Sequence, residues 1–309
     1  MTSMEFVQQI YSLAIKLHEN GVRQIIISMR PKQWTKNLIL FAALIFSQNL
    51  FHAQSFLRVL EAFILFTLLS GGVYIFNDLI DIEKDRYHPK KSQRPLAAGR
   101  LSPGNAIIAS LLIGFTSLYF SFLLNIRFGM VAISYLVLQL TYTFSLKHII
   151  ILDVFSVAAG FVLRVIAGAV VIGVPVSTWL VVCTMLLALF LSFCKRRHEL
   201  TNLEEEAVNH RKSLKGYSPY LLDQMIAVVT ASTLISYALY TMSAETVQKF
   251  GTTDLKYTIP LVLFGIFRYL YLIHQKDEGG SPESVIFKDK AMIFNILTYV
   301  ILVGFILYT

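Results

Sequence analysis

From Val59 to Phe76 the chain reads VLEAFILFTLLSGGVYIF, eighteen residues with a single charge. Blocks of this kind recur along the sequence, and they restrict its fold more than any other feature. A surface helix of a soluble domain carries its apolar residues on one face, at spacings of three and four. These blocks are apolar all round, and a helix of about 20 such residues crosses the hydrocarbon core of a bilayer. Nine spans are expected, at 38–53, 56–76, 104–124, 128–145, 151–173, 176–194, 222–243, 257–274 and 291–308, the first being short. The expected fold class is therefore all-α: a polytopic helical bundle in the membrane with about nine transmembrane helices. The chain is 55% hydrophobic and 15% charged, against about 25% charged in soluble domains, which excludes a soluble enzyme.

Charge placement orients the bundle. Of the 27 Lys and Arg residues, Arg58, Arg127, Lys249 and Lys256 fall on one side and Arg164 and Arg268 within spans. All the others lie in the N-terminal segment or in the loops after spans 2, 4, 6 and 8. Basic loops stay in the cytoplasm, so the N-terminus and those loops are expected there, in a bacterial plasma (inner) membrane protein. A basic face of this kind suits anionic lipid or phosphorylated substrates, and no nucleic-acid partner is expected. Residues 1–30, interrupted by Lys16 and Glu19, read as an amphipathic interfacial segment, and 31–309 as a single transmembrane domain. Cys183 and Cys194 share the sixth span at no metal-ligand spacing and read as packing residues.

The second span runs into NDLIDIEKDRYHPKKSQRP, Asn77 to Pro95. Spacings of three and four place Asn77, Asp81 and Asp85 in one row of a continuing helix, with Asp78 beside it. Like charges so placed repel unless a cation sits against them. Hard oxygen ligands in a row suit Mg²⁺, which keeps several waters and is shared with substrate phosphates. Asn77, Asp78, Asp81 and Asp85 are thus the expected metal ligands, and the three aspartates the expected catalytic carboxylates. A solvated helix end whose acids balance Lys84 and Arg86 is the plainer alternative. Cations follow at once, among them Arg86, Lys91 and Arg94, in a loop stiffened by Pro89 and Pro95. Carboxylates followed by such a loop match a metal-bound diphosphate, whose remaining charge Arg86, Lys91 and Arg94 would neutralise.

NDLIDIEKD fits NDxxDxxxD, and HPKKSQRPLAAG fits HPxKxxRPxAxG. With these motifs the chain resembles the UbiA family of intramembrane prenyltransferases over residues 28–308. The resemblance implies a helical membrane fold, Mg²⁺ as cofactor and diphosphate as leaving group. The usual member has a second motif, DxxxD, after the sixth span. Here that stretch, FCKRRHELTNLEEEAVNHRKSLKGYS from Phe193 to Ser218, lacks it and carries Lys195, Arg196, Arg197, Glu199 and Arg211 instead. More cations suit more phosphate, either a donor bearing a 5-phosphate beside its 1-diphosphate or a lipid-borne phosphate. A positive-inside signal would account for Arg196 and Arg197 alone. Glu204, Glu205 and Glu206 read as a solvated face.

The same stretch, with RPKQWTKN (Arg30 to Asn37) and YTFSLKHIIILDV (Tyr142 to Val154), resembles the branch of the family in which a polyprenyl phosphate accepts phosphoribose. That branch implies phosphoribosyl diphosphate and a decaprenyl or undecaprenyl phosphate as substrates, beside membrane lipid. In RPKQWTKN, Pro31 and Trp34 read as an interfacial membrane anchor, the sharper reading being that Lys32 or Lys36 holds a lipid phosphate, and Tyr142, Lys147 and Lys195 are candidates for orienting phosphates. Arg196 and Glu199 join the same site. Independently, Asp153 and Arg164 stand eleven residues apart, which returns a helix to within about 20° of the same face. An intramembrane arginine normally meets a counter-charge or an anionic ligand, so both are expected to line the site, a structural Arg–Asp pair being the alternative. A conventional prenyltransferase acting on an aromatic or other small acceptor shares the first motif but not the extra cations. A non-catalytic lipid-phosphate or anion transporter leaves the acidic row unexplained. The sequence does not give the oligomeric state.

Overall fold

The computed structural model describes residues 21–89, 91–202, 212–276, 285 and 288–308. The interfacial segment expected over 1–30 therefore falls largely outside the described residues, as do Lys90, Glu204 to Glu206 and Arg211. Residues 21–28 form helix α1. A 3-10 helix, Pro31–Leu40, then leads directly into the short α2, Phe41–Phe46. The remaining helices are α3 (Ala53–Ile80), α4 (Ile82–Arg86), α5 (Pro103–Leu124), α6 (Ile126–Phe144), α7 (Leu152–Val171), α8 (Thr178–Asn202), α9 (Pro219–Met242), α10 (Ala244–Phe250), α11 (Ile259–Lys276) and α12 (Lys290–Tyr308). No strand occurs among the described residues. A backbone in lipid must satisfy its own hydrogen bonds, and helices do so within one segment.

Among the described residues, eight helices are long and apolar enough to cross a membrane. The expected first span, 38–53, is the one that differs: it holds no 18-residue helix. At about 2.0 Å rise per 3-10 residue and 1.5 Å per α residue, Pro31–Phe46 still reaches roughly 29 Å, close to the ~30 Å hydrocarbon core. Two of the long helices, α5 and α9, begin on sequence-encoded caps. Ser102 accepts from the Asn105 N–H at 3.3 Å before Pro103, and Ser218 from the Leu221 N–H at 3.1 Å before Pro219. Each pairs a hydroxyl cap with a proline at the first helical turn.

The chain packs as two compact units, residues up to Leu38 with Leu60–Leu140, and Ile39–Val59 with Thr141 onward. In the first, Met29, Ile75, Leu96, Leu101 and Ala106 form a core, and Phe66 packs at a tilt against Phe128 and Tyr135. Asn37, fully buried, donates to Thr67 and Ser70 of α3 at 3.0 and 3.2 Å. In the second, α7, α8 and α9 pack closely around Val154, Phe190, Phe193, Leu222 and Ile226. Gly168 of α7 meets the Leu40 carbonyl so closely that a Cβ there would lie 2.0 Å from the oxygen. The end of α12 is tied to residues 45–50: Gln48 Nε2 donates to the Leu307 carbonyl at 2.8 Å, and the Tyr308 hydroxyl donates to the Ile45 carbonyl at 3.0 Å.

Candidate active site

The acidic row lies in the first unit, where α3 gives way to α4. Asp81 interrupts the regular helix with φ −98° and ψ 10°. The hydrogen-bond ladder nevertheless continues, from the Asp81 N–H to the Asn77 carbonyl at 3.0 Å and from the Asp85 N–H to the Asp81 carbonyl at 2.8 Å. The expected row is therefore kept through the break. Asp78 and Asp85 are buried, while Asn77 and Asp81 are half-buried. One guanidinium nitrogen, Arg94 Nη1, donates to Asp78 Oδ1 at 3.0 Å and to Asp85 Oδ2 at 2.6 Å. Arg30 donates to the same Asp78 oxygen and lies over the Tyr74 ring at 4.8 Å. Burial pushes the Asp85 carboxyl above its ordinary range, against the opposing pull of Arg94 and Lys91. One guanidinium nitrogen thus bridges Asp78 and Asp85, and the four side chains offer only hard oxygen ligands, the set Mg²⁺ prefers, although among the described residues no group of three or more His, Cys, Asp or Glu side chains is assembled around a metal position.

The basic loop is pinned by backbone bonds from the Arg94 N–H to the Lys91 carbonyl at 2.9 Å and from the Ser92 N–H to the His88 carbonyl at 3.0 Å. Gly99, at φ 70°, takes a left-handed turn open to glycine without strain. Arg86 points elsewhere: it is exposed and pairs with Glu83 at 2.9 Å. Lys32 is exposed and Lys36 half-buried, both on the 3-10 helix.

A second charged cluster lies in the second unit. Asp153, fully buried, opens α7. Its Oδ2 accepts from Arg196 Nε at 2.9 Å and from the Ser213 hydroxyl at 3.3 Å, and its Oδ1 from the Tyr217 hydroxyl at 2.9 Å. Arg196 also donates to Glu199 at 2.5 Å. Asp153 and Arg196 are thus supports held within the protein. Lys195, Glu199, Tyr142 and Lys147 are half-buried around them. Burial raises the Tyr217 hydroxyl well above its usual range, so it stays a neutral donor. Arg164 shares the buried face of α7, as its spacing requires. Its Nη1 donates to the Gly160 carbonyl at 2.8 Å, and its guanidinium lies 5.4 Å from the Phe161 ring centre. The Asp153 carboxylate is paired with Arg196, from α8. A third group, Arg197 on Asp223 with His274 at 3.4 Å from the same oxygen, links α8, α9 and α11.

The second unit also holds an apolar cavity of about 530 Å³. Phe46, Trp179, Cys183, Tyr237, Tyr269 and Tyr299 are among the residues lining it. At its edge the Tyr237 hydroxyl meets Thr258 at 2.6 Å and Tyr299 at 3.1 Å.

The profile of the UbiA prenyltransferase family matches residues 38–306. The chain belongs to the UbiA prenyltransferase family. Among its relatives is the decaprenyl-phosphate phosphoribosyltransferase of Mycolicibacterium smegmatis, 31% identical over 300 residues, covering 94% of both chains. Another of that name, from Corynebacterium glutamicum, is 33% identical over 271 residues, covering 86% of this chain and 81% of the relative. A UbiA homolog from Archaeoglobus fulgidus bound to GPP and Mg²⁺ superposes with a TM-score of 0.69 at 18% identity, over 93% of this chain and 100% of that one. At that identity the likeness concerns the fold. This UbiA-family chain is an integral membrane protein and an enzyme of the prenyltransferase type.

Within the UbiA-family chain, the structure brings together Asp78, Asp85, Arg94 and, by charge, Lys91. Separately it brings together Asp153, Arg196 and Glu199. Arg30, Ser213 and Tyr217 are missing from the sequence-based set. Arg30 stood beside the two lysines singled out in RPKQWTKN, and its positive φ of 55° is invisible in sequence. Ser213 and Tyr217 reach Asp153 across 60 and 64 residues, a separation that leaves no periodic trace.

Proposed function

We propose that this chain transfers 5-phosphoribose from phosphoribosyl diphosphate to a polyprenyl phosphate of the decaprenyl or undecaprenyl class, with release of diphosphate. The observation that carries the reading is the acidic row closed by Arg94, in a chain whose full-length relatives bear the phosphoribosyltransferase name. Asn77, Asp78, Asp81 and Asp85 would hold Mg²⁺, which when bound stabilises negative charge developing on the diphosphate. Arg94 keeps Asp78 and Asp85 paired and facing one cation, and Lys91 adds positive charge at the same place. Arg86, more exposed, would meet only the outer oxygens of the diphosphate.

In the reaction the bond from ribose C1 to the diphosphate oxygen breaks, and a bond from C1 to an oxygen of the lipid phosphate forms. The electron pair leaves with diphosphate. The attacking phosphate is already ionised at neutral pH, so no side chain need accept a proton, and catalysis rests on positioning and electrostatics. Tyr142, Lys147, Lys195 and Glu199 would orient phosphate or sugar hydroxyls, with Asp153 and Arg196 holding them in place. Lys32 and Lys36, and within α7 Arg164, are further contacts in this reading. The apolar cavity suits an isoprenoid chain. We place the basic loops on the cytoplasmic side of a bacterial inner membrane, following the positive charge. Residues 31–309 we treat as one domain, since the family match runs unbroken through both units.

The test incubates purified protein with Mg²⁺, decaprenyl phosphate and radiolabelled phosphoribosyl diphosphate, then extracts the lipid. Mg²⁺-dependent label in the organic phase, with diphosphate released, is expected. Asp81→Asn should abolish it while leaving the protein folded. No label, with consumption of a polyprenyl diphosphate in the presence of an aromatic acid, would place the chain among the conventional prenyltransferases.

A further inference from the structure

Ile151 stands at φ 70° and ψ −48°, a left-handed conformation that is a true outlier for a β-branched residue. The Leu152 N–H closes on the Ile150 carbonyl at 2.8 Å, forming a γ-turn of the rarer, strained hand. Such strain persists only where surrounding contacts over-determine it. Here the contacts come from residues 213–217. The Ile151 N–H donates to the Tyr217 hydroxyl at 2.7 Å, and that hydroxyl donates in turn to Asp153 at 2.9 Å. Gly216 sits flush against Ile150, where a Cβ would come within 1.9 Å of the Ile150 Cδ1. Ser213 completes the attachment through Asp153.

The turn so held is short, and it follows the 3-10 helix Leu146–His148 that carries Lys147. Asp153, at its other end, grips Arg196 of α8, next to Lys195 and one turn from Glu199. We propose that Tyr217 is a positioning residue. Its hydroxyl locks the turn bearing Lys147 to the helix end bearing Lys195 and Glu199, so that the two lysines hold a fixed spacing for a phosphorylated substrate. Tyr217 itself need not touch that substrate. The proposal rests on the phosphoribosyl-transfer reading for which substrate feels the lock. The soluble donor is recognised by charge and hydrogen bonds alone and depends on cation spacing, whereas the lipid acceptor is also held by burial of its apolar chain.

Two variants test it, in the full chain in detergent. Tyr217→Phe keeps the ring and removes both hydrogen bonds. It should raise KM for phosphoribosyl diphosphate about tenfold, with KM for polyprenyl phosphate within about twofold, and it should speed amide exchange in residues 146–152. Gly216→Val, which drives a side chain into Ile150, should give the same KM shift, and adding Ile150→Ala should reverse it. A protein that loses only folded yield would not be rescued in this selective way. Unchanged donor KM with unchanged exchange in Tyr217→Phe would overturn the proposal. So would equal rises in both KM values that Ile150→Ala fails to reverse. If Tyr217→Phe cannot be purified, the Gly216→Val and Ile150→Ala pair decides. Absence of phosphoribosyl transfer in the unmodified protein would refute the proposed reaction instead, and the amide-exchange comparison would then judge the lock alone.

Discussion

Asp153→Ala should be among the most damaging single changes in the second unit. The carboxylate has no exposed surface and accepts from Arg196, Tyr217 and Ser213, at 2.9, 2.9 and 3.3 Å. Its removal leaves the Arg196 guanidinium, only 3% exposed, with Glu199 as its remaining carboxylate among these bonds. Removing one partner of a buried ion pair costs about 3–5 kcal/mol, because the other charge stays buried and uncompensated. Glu199 offsets part of that, whereas Ser213 and Tyr217 each lose an acceptor, at about 1 kcal/mol apiece. The expected loss is therefore about 3–5 kcal/mol. Replacing the charged partner as well, in Asp153→Ala with Arg196→Met, removes the stranded cation and should recover about half of it. Unfolding by SDS in mixed micelles, followed by the fluorescence of Trp34 and Trp179, measures both. A loss below about 1 kcal/mol, or a double variant no better than the single one, would refute the view that this pair is buried and mutually dependent.

Other consequences are as direct. Arg94→Gln leaves Asp78 and Asp85 without the nitrogen they share. The melting temperature without divalent ions should fall, and added Mg²⁺ should raise it more than in the unmodified protein; equal shifts would count against a common cation site. Gly168→Ala puts a methyl group 2.0 Å from the Leu40 carbonyl oxygen, which backbone displacement must relieve at a cost of about 1–3 kcal/mol, read as lost thermal stability. The hydrogen bonds from Arg268 hold the Asp289 carboxyl below its usual range. A lowered folded-state value means that its stabilisation is present above the ordinary carboxylate range and lost only as pH falls below it. Asp289→Asn should thus lower stability equally at pH 7 and pH 5, with the difference closing in stronger acid.

The span helices were legible because lipid leaves the backbone few choices: the expected 104–124 and 291–308 became Pro103–Leu124 and Lys290–Tyr308. The sixth span ran past its expected end at 194 to Asn202, since the polar CKRRHELTN continues the helix beyond its apolar stretch. The 31–46 segment was not legible. Its 3-10 winding is accompanied by the buried bonds from Asn37 to Thr67 and Ser70, which no local pattern announces. In the site, the acidic row could be read because spacings of three and four are a property of the helix itself. Arg94 was placed with the phosphate, yet its nitrogen is engaged by Asp78 and Asp85. The resemblance brought Arg196 into the site, but not its bond to Asp153 across 43 residues.

The bonds that join Ile45, Gln48 and Leu50 to Leu307 and Tyr308 span 258 to 263 residues. Contacts of such sequence separation form late, because the chain between them must first be in place. As helices enter the bilayer in order of synthesis, residues 39–50 wait without these partners through every intervening span. Phe46 on one side and Asn295 and Tyr299 on the other belong to the same cavity wall. The apolar cavity is therefore completed only when the last helix arrives, and a chain stopped short of α12 would have its carboxylate row built but this cavity without one of its walls.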